Sequence, residues 1–175
     1  ESDRHAYTLE IDAKGVRVTA ENVKGAAHGT ATLLQILDVK EKVVRLPFMV
    51  ARDEPVAAFR SVSIDVARQP HGIAVLEDAI RLARLYKIRY IQLHLTDDQH
   101  FTFPFEPITS RLERNHTYTR KQLTDLVAYA EARGVTLIPE IDLPGHSSRL
   151  KQSGYLPGAK TDRDVADPKH AKALH

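Results

Sequence analysis

Between positions 94 and 100 the chain reads HLTDDQH, so His94, Asp97, Asp98 and His100 crowd together directly after the apolar run that ends YIQLHL. A turn does not need two adjacent carboxylates and two imidazoles. One chemistry open to such a set, with His146 added, is metal binding, because imidazole and carboxylate suit zinc or manganese. The spacing argues against it, since a strand presents ligands as His-x-His and HLTDDQH holds no such pair. The other chemistry is an aspartate that accepts the N–H of a histidine, fixes its tautomer and aims the second ring nitrogen at an acid, base or nucleophile. Asp97 and His146 are the candidates for that pair; the competing reading is that Asp97 caps a turn and His146 merely follows the Pro144-Gly145 turn.

Three further sets carry possible chemistry. Arg60 offers a guanidinium fork to vicinal hydroxyls or carboxylates, or else makes an internal ion pair. Glu140 and Asp142 share a strand face by period 2, as an acid/base pair or as part of a buried polar ring. Asp65 and Arg68, in IDVAR, read as mutual partners that tie down a loop, a structural role.

The elements that must hold these residues are legible from periodicity. HAYTLEI and VRVTA alternate apolar and polar residues around DAKG and predict a hairpin. NVKGAAHGTATLLQIL predicts a helix in its second half, with Gly25 and Gly29 loosening its start. KVVRLPFMV reads as one strand, at an edge or bulged because of Pro47. From residue 56 the pattern becomes strand, helix, strand, helix, strand: SVSIDVA, then a helix with Ile73, Leu76, Ile80 and Ala83 on one face, YIQLHL, a helix opened by a Thr119/Gln122 capping box and closed by Gly134, and VTLIPEI. That alternation implies right-handed βαβ crossovers and a parallel sheet, whose chemistry gathers at the C-terminal ends of its strands. Arg60, Asp97 and His146 are expected on that side.

With 175 residues, 42% hydrophobic and 27% charged, the composition is that of a globular protein. A formal charge of +2 without a basic run disfavours nucleic acid as a partner. No apolar run is long enough to span a membrane. The absence of Cys excludes disulfides and thiolate metal sites but does not fix a compartment.

The segments FRSVSIDVARQP, YIQLHLTDDQHFTFP, YTRKQLTDLVAYAEARGVTLIPEIDLPGHS and GAAHGTATLLQIL together resemble the family 20 glycoside hydrolases, the β-N-acetylhexosaminidases. The resemblance implies an α/β fold: a small, incomplete α+β domain over residues 1–55, followed over 56–175 by about the first three strands of a (β/α)8 TIM barrel. It implies hydrolysis of terminal β-linked N-acetylglucosamine or N-acetylgalactosamine by a substrate-assisted, retaining route, with no cofactor and no metal. In that route the 2-acetamido oxygen attacks the anomeric carbon, while an adjacent Asp–Glu pair orients the acetamido group and protonates the leaving oxygen. By resemblance Asp97 and His146 are a supporting relay toward that acid, Arg60 holds sugar hydroxyls, and His94, Glu140 and Asp142 border the site.

The chain departs from the family in having no GGDE segment, no Trp, and His100-Phe101 where many members have Gly-Trp. It is therefore expected to be a part of a hexosaminidase that is inactive alone and that self-associates or needs a partner chain completing the barrel. The resemblance favours an extracytoplasmic location: periplasmic, secreted or lysosomal. The competing reading is a non-catalytic sugar- or protein-binding module on a half-barrel.

Overall fold

The computed structural model describes residues 5–112 and 116–170. Contacts divide the chain into two units, Glu1–Val62 with Leu76–Ile91 and Val127–Thr136, and Ser63–Val75 with Gln92–Leu126 and Leu137–His175.

The first unit opens with the expected hairpin, β1 (Tyr7–Asp12) and β2 (Gly15–Ala20), paired antiparallel from Tyr7↔Ala20 to Asp12↔Gly15. Asp12 makes the turn: its Oδ1 accepts from the backbone N–H of Lys14 at 2.7 Å and of Gly15 at 3.2 Å, and Gly15 takes φ 140°. Helix α1 then runs over Val23–Ile36, with the Asn22 side chain capping the N–H of Gly25.

The helix thus covers its whole apolar stretch, including the glycine-bearing first half where sequence reading expected loosening. The glycines do different work. A Cβ on Gly25 would sit 2.7 Å from the Ala6 carbonyl oxygen, and one on Gly29 would sit 2.5 Å from Val18 Cγ1. They let the helix lie directly on the sheet, where Tyr7, Leu9 and Ile11 form a buried core with Val18, Leu33, Ile36 and Met49 packed around it. Elsewhere in a helix, Gly→Ala gains about 1 kcal/mol. Here overpacking against backbone, worth about 1–3 kcal/mol, reverses the sign. Gly25→Ala is expected to lower the urea midpoint, and a raised midpoint would show that the helix can lift off without loss.

KVVRLPFMV is two strands and not one. Short β3 (Asp38–Lys40) and β4 (Val43–Arg45) pair as an exposed hairpin, and β5 (Met49–Asp53) pairs antiparallel with β1, giving the order β2-β1-β5. Pro47 lies between β4 and β5, where no ladder hydrogen bond is lost.

Three strands, β6 (Ser61–Asp65), β7 (Tyr90–His94) and β8 (Thr136–Glu140), form a second sheet in that order. Its pairings ascend together and so are parallel. The N–H groups of Arg89 and Tyr90 donate to Arg60 O at the start and that of Val66 to His94 O at the end; Thr136 N–H donates to Arg89 O and Leu95 N–H to Glu140 O. The crossovers are α2 (Ile73–Leu85), which buries Leu76, Ile80 and Ala83, and α4 (Arg120–Glu131). At the start of α4, Thr119 Oγ1 accepts from Gln122 N and Gln122 Oε1 from Thr119 N, while Gly134 past its end takes φ 75°.

Sequence periodicity missed three short helices, α3 (Glu106–Thr109), α5 (Ser148–Gln152) and α6 (Asp162–Val165). They belong to the second unit and enclose a satellite core of Ile108, Leu150, Leu156, Ala159 and Val165. At four or five residues each they are too short for a 3.6-residue period to show. Among the described residues no helix is long and apolar enough to cross a membrane.

Candidate active site

Along β7 and just beyond it, Ile91, Leu93 and Leu95 are buried apolar positions, so Gln92, His94 and Thr96 fall on the alternate face. The chain then doubles back. Thr102 N–H and Oγ1 both bond Leu95 O, and Asp97 N–H donates to His100 O at 2.9 Å. This tight return leaves Asp97 only 2% exposed.

Each polar residue of the run has a distinct partner. Asp97 Oδ1 accepts from Gln99 N at 3.2 Å, and its Oδ2 lies 2.8 Å from Arg68 Nη2 and 3.4 Å from His94 Nε2. Asp98 accepts the N–H of Ser148 at 2.9 Å, the first residue of α5, and those bonds hold its carboxyl below the ordinary range. His100 Nδ1 lies 2.7 Å from Ala67 O.

β8 delivers the second half. Glu140 is the last residue of β8 and Asp142 lies two past it, beyond the strand, yet both bring a carboxylate oxygen near His94 Nδ1. Glu140 Oε1 lies 2.7 Å from His94 Nδ1, and its other oxygen accepts from Gln92 Nε2. Asp142 N–H donates to Thr96 Oγ1 at 2.9 Å, tying the end of β8 to that of β7. Asp142 Oδ2 is 2.8 Å from His146 Nδ1. His146 takes φ 49°, a left-handed backbone that costs a non-glycine residue about 1 kcal/mol and is characteristic of functional positions. Its ring is half exposed and meets the His94 ring edge-on with centroids 6.2 Å apart. The hydrogen bond to Asp142 raises the His146 pKa, and reciprocally His146 lowers that of Asp142.

The expected Asp97–His146 pair is therefore not formed. His146 takes Asp142 as its carboxylate, four residues away, whereas Asp97 is taken by Arg68 and His94. Asp97 also caps its own turn, so the competing structural role coexists with a place in the cluster. Arg60 has surroundings of its own. It stands before β6, in the first unit, with Nε on Lys87 O at 2.9 Å and Nη1 on Ala57 O at 2.5 Å. Sequence reading did not foresee the second contact of Arg68. That residue does pair with Asp65, Nη1 to Oδ2 at 2.6 Å, as expected, but its second nitrogen reaches Asp97 and its side chain is 44% exposed. The signal was available in its place three residues after a strand's C-terminal end.

Beside these groups is a pocket of about 220 Å³, lined by Asp97, Asp142 and His146 and by the aromatic rings of Phe101, Phe103 and Tyr155. Ligand atoms of His94, Glu140 and Asp142 lie within 4.8 Å of one another. Their hydrogen bonds already join them, so the set reads as a proton-sharing network before it reads as a metal site.

A model of the catalytic domain of glycosyl hydrolase family 20 matches residues 58–172, and a model of domain 2 of that family matches residues 1–54. The chain is 32% identical over 166 residues to a beta-hexosaminidase of Vibrio furnissii, covering 83% of this chain and 27% of that protein. It is 33% identical over 171 residues to a beta-hexosaminidase of Akkermansia muciniphila, covering 85% of this chain and 35% of that protein. Among solved structures, the exo-β-N-acetylglucosaminidase of Vibrio harveyi in complex with N-acetylglucosamine superposes with a TM-score of 0.79 and 29% identity, over 89% of this chain and 28% of that one. The chain thus spans about a quarter to a third of the length of these relatives.

Proposed function

The chain belongs to glycosyl hydrolase family 20, and we propose that it supplies the first three strands of a (β/α)8 barrel and the supporting polar groups of a β-N-acetylhexosaminidase site. The observation that supports this most directly is the gathering of Asp97, Asp142, His146 and Arg68 at the C-terminal ends of parallel strands, where barrel chemistry sits. The substrate class is a terminal β-linked N-acetylhexosaminide, cleaved with help from its own acetamido group.

In this reading the Asp142–His146 pair is the mobile half of the site. Its exposed imidazole, oriented by a carboxylate, can pass or hold a proton toward a neighbouring acid. Asp97, buried against the Arg68 guanidinium, orients. In this reading Arg68 takes the role that the resemblance assigned to Arg60: its fork is half exposed and rests on the carboxylates of Asp65 and Asp97 at the strand ends. Arg68 is thereby positioned for sugar hydroxyls.

The test is titration of the chain with N-acetylglucosamine, followed by NMR. Saturable shifts in wild type, lost in Arg68→Ala and retained in Arg60→Ala, are expected; the reverse order would return the role to Arg60. These 175 residues hold no counterpart of the adjacent Asp–Glu pair, and a general acid is worth about 10²- to 10⁴-fold. Hydrolysis of a chromogenic N-acetylglucosaminide by this chain is accordingly expected to stay near background. Turnover by a clean monomer would move the acid role to Glu140.

A further inference from the structure

His94 is 6% exposed and points both ring nitrogens at carboxylates: Nδ1 at Glu140 Oε1, 2.7 Å away, and Nε2 at Asp97 Oδ2, 3.4 Å away. An ionised carboxylate only accepts hydrogen bonds, and a neutral imidazole donates from one nitrogen only. Two such contacts therefore need one proton more than a neutral ring and two carboxylates possess.

The surroundings decide where that proton rests. Asp97 Oδ2 also faces the cationic Arg68 Nη2 at 2.8 Å, and the second Glu140 oxygen receives Gln92 Nε2, an ordinary amide donor. Around the ring stand the carboxylates of Asp65 from β6, Asp97 from its own loop, Glu140 from β8 and Asp142 just past it, against Arg68 and His146. With four negative groups facing it, the ring is the favoured seat for the positive charge.

We propose that His94 is a positioning residue held as an imidazolium, giving one proton to Glu140 and one to Asp97 and so fastening the C-terminal ends of β7 and β8 to each other. Burial opposes the charge, but the ring's hydrogen bonds to Glu140 and Asp97 outweigh it and raise its pKa overall. The arrangement deepens the hexosaminidase reading, on which only its catalytic meaning rests: a fixed cation lowers the pKa of Asp142 while the exposed His146 exchanges protons.

The experiment is a long-range ¹H–¹⁵N spectrum of the labelled chain one pH unit above the ordinary imidazole value. Both His94 ring nitrogens are expected to carry protons there, and the pattern of a neutral tautomer would overturn the proposal. A second measurement follows the Asp142 carboxyl carbon through a pH titration in wild type and in His94→Gln, which keeps hydrogen bonding but not charge. Its midpoint is expected to move up in the variant, because His94 is one of the charges that lower it; an unmoved midpoint overturns the proposal. If the variant does not fold, the wild-type spectrum still decides. A protonated ring in a chain that does not bind N-acetylglucosamine would uphold the imidazolium and sink the functional reading.

Discussion

Acidification from pH 7 to pH 4 is expected to cost the folded chain about 3 kcal/mol through His28 alone. His28 lies in α1, is 3% exposed, and has its pKa lowered from 6.5 to about 4. Burial is the largest cause, followed by the positive charges of Arg60, His5 and Lys87 in the same unit. The ring of His5 stands edge-on to it at 5.6 Å, and among the described residues His28 Nδ1 has no hydrogen-bond partner.

The sign follows from proton counting. Between pH 6.5 and pH 4 the unfolded chain binds a proton at this residue and the folded chain does not, so stability falls as pH falls. The stabilisation is fully present above the unfolded pKa and is lost on descending to the folded one. At 1.36 kcal/mol per pKa unit, a depression of about 2.5 units gives the figure above. Urea unfolding of wild type and His28→Gln across that window measures it. The variant is expected to show a flatter dependence, the difference growing below pH 6.5. Parallel curves would mean that His28 is accessible to protons in the folded state.

The second large effect is expected from Asp97→Ala, which should destabilise the second unit by about 2–3 kcal/mol. The Asp97 side chain is 3% exposed and its Oδ2 is shared by Arg68 and His94. Removing one member of a buried charge pair costs about 3–5 kcal/mol, because the partner is left buried and uncompensated. Arg68 is 44% exposed and recovers part of the loss by turning to water, which lowers the expected value; His94, only 7% exposed, cannot. The variant also frees the Gln99 N–H that holds the turn. A urea midpoint at pH 7 within error of wild type would show that the cluster does not organise these strand ends. Asp97→Asn, which keeps an acceptor but loses the charge, is expected to fall between the two.

The sequence by itself determined the elements whose signals are local. Alternation over HAYTLEI and VRVTA marks β1 and β2, the capping box at Thr119 and Gln122 opens α4, Gly134 closes it, and the strand–helix rhythm from residue 56 requires a parallel sheet. It also placed Asp97, Glu140, Asp142 and His146 after strand ends, where chemistry gathers. Tertiary structure alone decided who pairs with whom. Period-2 spacing puts Glu140 and Asp142 on one face, but only the fold, with its left-handed turn at His146, gives that ring Asp142 as its hydrogen-bond partner. IDVAR supplies a local partner for Arg68, but only the tight return after β7 carries Asp97 within reach of its second nitrogen. Gly25 and Gly29 read as helix breakers because propensity weighs a residue without neighbours; the packed sheet beneath α1 makes them the residues that allow close approach. Hydrogen bonds and charges act through space over a few ångströms, and chain spacing bounds such distances without setting them.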